Sequence, residues 1–240
     1  MKALPGVKSI AINKNLPFRF LPIVFALILY SLYVFVIAKL VFASDTSNFT
    51  QTITAGTLSV DIVNGSYLPV GSPTVAMGDV AFSFACQTAT GTFGTASQQI
   101  YVKNPDAADG GWNVTLAATN TTNVWDGASS DFDFNDPTGS GCTDGADAGD
   151  SVGGQMSVDA LTNGVIDTGA CSGCSDTGVS KGSAASFSEG ATNSITILTG
   201  AAGSDDVGDW TLQTVDISQK IPAEQGAASD YDINMKLTII

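Results

Sequence analysis

The chain is predicted to be all-β, an immunoglobulin-like or jelly-roll β-sandwich preceded by one N-terminal hydrophobic helix. Three features predict it. Near the end, Tyr231, Ile233, Met235, Leu237 and Ile239 alternate with Asp232, Asn234, Lys236 and Thr238, the period of a strand with one buried face. Upstream, short alternating runs are separated by Gly, Asn, Asp and Pro clusters, and no stretch after residue 44 sustains a helical period. The acids are 21 Asp and two Glu, Glu189 and Glu224, a bias toward turns and against helices. Such a strand buries its apolar face only against a second sheet, so a sandwich is the expected solution.

Residues 1–19 carry Lys2, Lys8, Lys14 and Arg19 and no acid, and the 20–38 run that follows is uncharged and mostly apolar. As a helix it reaches roughly 28 Å, enough for a bilayer's hydrocarbon core. The basic flank predicts a cytoplasmic N-terminus and export of everything after Lys39. Val41-Phe42-Ala43 offers a signal-peptidase site before Ser44. Cleavage and retention both fit, so residues 1–43 read as a signal peptide or membrane anchor, with a transmembrane helix at about 20–38. Residues 44–240 read as an extracellular domain, long enough for one sandwich.

Within that domain, residues 52–63 place Leu58, Val60 and Ile62 on one face. Val80, Phe82, Phe84 and Cys86 form the next alternating set, Ile100 with Val102 a third, and Trp112, Val114 and Leu116 a fourth. An Asp/Gly-rich insert spans about 119–190, with weak strand signals at 132–134, 156–158 and 183–187. Ile195 with Ile197 and Trp210 with Leu212 then lead into the closing strand.

After residue 44, four lysines (Lys103, Lys181, Lys220, Lys236) face all 23 acids, a net charge of −19. A surface that acidic repels phosphate backbones and argues against nucleic acid as a partner. With no His there is no Ser-His-Asp or Cys-His nucleophile and no HExxH helix, and no glycine-rich phosphate loop opens a helix. The chain is therefore read as non-enzymatic.

Cys86, Cys142, Cys171 and Cys174 make an even count, which in an exported chain predicts two disulfides. Of the three pairings we favour Cys171 with Cys174, which closes a tight CSGC loop, and Cys86 with Cys142, which ties the polar insert to a strand. A four-Cys zinc site is half present as a motif, and a redox CxxC lacks the helix that normally follows it. Asp131, Asp133, Asn135, Asp136, Asp144, Asp147 and Asp150 form the densest carboxylate region, a candidate for calcium, which wants six to eight oxygens. The opening DxDxN is EF-hand-like, but Asp136 stands where that loop needs Gly and Cys142 where it needs Glu. The bland alternative is a solvated turn region with Phe132 and Phe134 facing the core. Among the three tryptophans, Trp112 and Trp210 fall on buried-face positions, whereas Trp125 lies in polar surroundings and is the candidate ligand contact.

Ser44-Asp-Thr, followed by Phe49-Thr-Gln-Thr-Ile-Thr-Ala-Gly-Thr-Leu-Ser-Val-Asp61, resembles the mature start of TasA/camelysin-type proteins. The match covers about twenty residues. The resemblance implies a jelly-roll-like surface or biofilm-matrix protein, with assembly into fibres in some members. Asp209-Trp210-Thr-Leu212, Ile221-Pro-Ala223 and the 231–239 strand are similar to the end of WxL-type surface domains, which implies a sandwich held non-covalently on the cell wall. Here Glu224-Gln225 follows Ile-Pro-Ala and the last strand lacks that family's Trp. Neither resemblance covers 65–205. Together with the residue-level reading they lead us to expect an exported structural protein, an envelope coat or matrix-fibre subunit at the cell surface, with self-association as its partner. A cell-wall polysaccharide or carbohydrate-binding adhesion module is the alternative.

Overall fold

The computed structural model describes residues 21–40 (side chains to 34), 51, 52, 54, 56–105, 110–128, 130–145, 152–203 and 207–240. The chain divides into two units, residues 1–53 and 54–240. In the first, helix α1 (Leu21–Leu40) runs for 20 residues. Its sequence has no Gly, and Pro22 stands in the first turn, where a missing N–H costs nothing. Described side chains from Leu21 to Val34 are exposed on every face. The expected helix over 20–38 is thus present from Leu21 on. Among the described residues no helix is long and apolar enough to cross a membrane. The Ala43–Ser44 junction lies outside the described residues.

The second unit is all-β and sandwich-like, with strands in antiparallel sheets. One sheet runs β1 (Ser59–Val63), β3 (Gln99–Asn104), β12 (Gly208–Gln213), β8 (Val165–Thr168). Another runs β10 (Ala185–Ser186), β7 (Gln155–Asp159), β13 (Val215–Ile221), β2 (Gln87–Phe93). A third runs β14 (Met235–Ile239), β4 (Trp112–Ala118), β11 (Ile195–Gly200), β9 (Val179–Lys181), and a two-stranded ribbon joins β5 (Val124–Trp125) to β6 (Phe132–Asp133).

The core forms where these sheets turn their apolar rows on one another. Trp112 of β4 and Trp210 of β12, both essentially inaccessible, meet between the third and first sheets with ring centroids 5.4 Å apart. A side chain at Gly200 would strike the Trp112 ring, so the bare backbone there is a packing requirement. Between Thr196 and Leu198 the β11–β4 register slips. That bulge turns consecutive Ile197 and Leu198 both inward. Burying each of these large side chains is worth about 1.5–3 kcal/mol.

The closing strand pairs with β4, Leu237 opposite Leu116, and β1 pairs with β3. Two expectations meet a different structure. The Val80–Cys86 alternation is not a strand. That stretch is irregular, with Val80, Phe82 and Phe84 exposed, and the two phenylalanines pack edge to face on each other at 5.3 Å. The strand is the next segment, QTATGTF, whose small residues let Met77 and Gly78 lie against Gly91 and Thr90. The 119–190 stretch is no separate body, because β7, β8 and β9 are laid into all three larger sheets. From β12 to β13 the chain changes sheets through Thr214 alone, at φ 57. Its amide donates to Gly94 O at 2.8 Å and its hydroxyl to Asn163 O at 2.5 Å, which holds a β-branched residue where it is strained.

Candidate functional site

Two places gather side chains that carry chemistry. The first is a cleft built around the ribbon. Trp125 opposite Phe132 stacks on it at 5.7 Å and 12°, and Tyr231 meets Phe132 edge-on at 4.9 Å. Trp125 Nε1 donates to Gln219 Oε1 at 2.9 Å. Gln219, 1% exposed, donates its own amide to the carbonyls of Asp133 and Lys220. One buried amide therefore fixes both the ribbon and the indole. On the other flank the Tyr231 hydroxyl donates to Gly226 O at 2.6 Å, and Gln225 Nε2 donates to that hydroxyl and to Asp131 O. With residues 75–83 as the opposite wall, these groups line an open cleft of about 570 Å³, where Asp79 supplies the only charge among the described lining residues. Trp125 is thus half-buried in a strand rather than on a polar loop. The Asn and Asp around it concealed the pairing.

The Asp-rich region uses its oxygens locally. Asp133 Oδ1 accepts the amides of Phe134 and Asn135 at 2.6 and 3.3 Å. Asp136 accepts Thr138 N at 2.8 Å and Gly145 N at 2.6 Å. Asp131 accepts Gly127 N at 3.2 Å, and the Asn135 amide donates to Thr121 O. Asp133, Asn135 and Asp136 are buried while Asp144 is exposed. Asp147 and Asp150 lie outside the described residues. Among the described residues these acids do not converge on one point. The acid and thiol group that does is Cys171, Cys174 and Asp209, whose ligand atoms lie within 4.8 Å of one another.

That group is the second place. Both disulfides are present, Cys86–Cys142 with Cα atoms 5.5 Å apart and Cys171–Cys174 with Cα atoms 5.8 Å apart. The CSGC loop projects from the end of β8, its sulfurs half-buried and Ser172 and Gly173 exposed. Gly173 sits at φ 89, a turn that only glycine makes without strain. Asp209, 6% exposed, holds the loop from behind. Its carboxylate accepts Cys171 N at 2.8 Å and Ala170 N at 3.1 Å, and it also accepts the Tyr101 hydroxyl. Burial, reinforced by that carboxylate, pushes the Tyr101 phenol well above the ordinary tyrosine range. The neighbouring Trp210 donates Nε1–H to Ser175 O at 2.9 Å. A side chain at Gly208 would crowd Cys174 Sγ. The consecutive residues Gly208, Asp209 and Trp210 thus shape one flank, the back and the far end of the loop. In the sequence Asp209 stands out only as the residue that opens the Asp209-Trp210-Thr-Leu212 stretch, and nothing there marks it as a site residue.

Comparison of the chain with protein families, with curated proteins and with solved structures finds no match.

Proposed function

We propose that this is an exported, non-enzymatic cell-surface structural protein, an envelope coat or matrix-fibre subunit, whose sandwich joins its neighbours by strand addition. The observation that carries the reading is the outer edge of β14, which among the described residues pairs with no second strand and has β1 close by. Ile240 and Asn113 exchange both backbone hydrogen bonds, at 2.8 and 3.1 Å. By antiparallel alternation Lys236, Thr238 and Ile240 then spend their backbone groups on β4, while those of Met235, Leu237 and Ile239 point away from it. Such an edge is a template for a strand from another chain.

The donor we assign is the Thr50–Val63 segment. Its strand portion is only five residues, Ser59–Val63, and described residues from Gln51 to Thr57 are exposed. The two disulfides suit an oxidising compartment, and the charge of −19 after residue 44 suits a hydrated surface coat. Deleting residues 44–56 abolishes assembly seen by electron microscopy while circular dichroism stays all-β. Unchanged assembly would count against the reading.

A second reading, a carbohydrate- or wall-binding module, is favoured by the fixed Trp125–Phe132 platform in the cleft, since aromatic faces suit the C–H faces of sugars. Retention on cell-wall polysaccharide, lost in Trp125→Ala, supports it. Equal retention of the variant sinks it.

A further inference from the structure

We propose that the Cys171–Cys174 corner, once reduced, is a binding site for a thiophilic divalent cation of the zinc and cadmium type, with Asp209 as its third ligand. The proposal is independent of assembly through β14. Three ligand atoms from two elements already lie within 4.8 Å of one another. Zinc takes thiolate sulfur and carboxylate oxygen in tetrahedral geometry, with sulfurs roughly 3.8 Å apart given its usual bond length. Cα atoms separated by 5.8 Å allow that spacing by side-chain rotation alone.

What makes the site more than a broken disulfide is that the loop does not depend on the S–S bond for its place. The Asp209 carboxylate holds the amides of residues 170 and 171, and the Trp210 indole holds the carbonyl of residue 175. These clamps grip both sides of the CSGC turn and survive reduction. Asp209 accepts three hydrogen bonds out of about four that a carboxylate can take, which leaves one lone pair for a cation. Neither the carboxylate nor the loop backbone has to be reorganised when the cation arrives. The fourth position faces the exposed side of the loop, where water completes the shell.

The step balances with a phosphine as reductant. The disulfide takes up two electrons and two protons to become two thiols, and the phosphine becomes its oxide with oxygen from water. Cation binding then releases both thiol protons. Reoxidation by a small-molecule disulfide, which takes up the two electrons and two protons and leaves as two thiols, restores the S–S bond and expels the cation, so the corner has two mutually exclusive states.

The test is cadmium titration of the full chain after phosphine reduction, followed by the ultraviolet thiolate-to-cadmium charge-transfer band. One equivalent binds in Cys86→Ser, which removes the other thiol pair, and none binds to the oxidised protein. In that background the band is lost on adding Cys171→Ser, and adding Asp209→Asn weakens binding about tenfold or more. No band in reduced Cys86→Ser, a full band after adding Cys171→Ser, or undiminished affinity after adding Asp209→Asn to a protein that still folds each overturns the proposal. Cys171 is half-exposed, so Cys171→Ser carries the decision if Asp209→Asn does not fold. Zinc displacing cadmium with the same variant order extends the result to zinc.

Discussion

The two disulfides differ in what they constrain. Cys86–Cys142 spans 56 residues and ties the irregular 75–86 wall of the cleft to the turn after Asp136. Cys171–Cys174 spans three and closes a loop already held by Asp209 and Trp210. By loop-closure entropy the first is worth about 4 kcal/mol and the second about 2 kcal/mol. The long bridge therefore works chiefly on the unfolded chain, whereas the short one mostly restates what hydrogen bonds to β12 have arranged. A cross-link's place in the fold, more than its presence, decides what it contributes.

The largest effect is expected from Cys86→Ala with Cys142→Ala, a loss of about 4 kcal/mol and a fall in Tm of about 10 °C in calorimetry. A shift no larger than that of the short bridge would erase the contrast. Next comes Asp209→Ala, which strands two loop amides and the Tyr101 hydroxyl. A loss of about 2–3 kcal/mol in denaturant unfolding is expected. Removing Cys171 and Cys174 together costs less, about 2 kcal/mol at most, with Trp210 fluorescence unchanged because its indole keeps Ser175 O. A red-shifted Trp210 spectrum would mean that the disulfide, not Asp209, sets the loop.

The smallest effect is alkaline. The folded chain holds the Tyr101 proton more tightly than the unfolded one. This contribution is therefore complete below the ordinary tyrosine pKa near ~10 and declines as pH rises above it. Tyr101→Phe flattens that part of the stability profile, and an unaltered profile would detach Tyr101 from the corner.

Strands with apolar alternation were legible because hydrophobic period is a local property. Trp112, Val114 and Leu116 read as a strand and are one, as does 235–239 within the longer closing run. β13 was not legible. Its inward row is Val215, Ile217 and Gln219, and a glutamine is a core residue only because Trp125, Asp133 and Lys220 supply its partners from elsewhere in the chain. The Val80–Cys86 pattern failed for the opposite reason, since alternation without a sheet to receive it leaves Phe82 and Phe84 in solvent. Sites were harder still. Asp density pointed to residues 131–150, yet density says nothing of direction, and Asp133 and Asp136 aim at their own turns. The carboxylate that faces the cysteines stands 35 residues beyond Cys174, at Asp209, and only the β8–β12 pairing brings them together.

Thr214 has a consequence for how the domain opens. A single residue passes the chain from β12 in one sheet to β13 in another, and its amide and hydroxyl are both anchored to loops flanking those sheets. With no slack in the connection, neither strand peels away without dragging the other. The two sheets then belong to one cooperative unit, and solvent reaches their backbone amides in the same event.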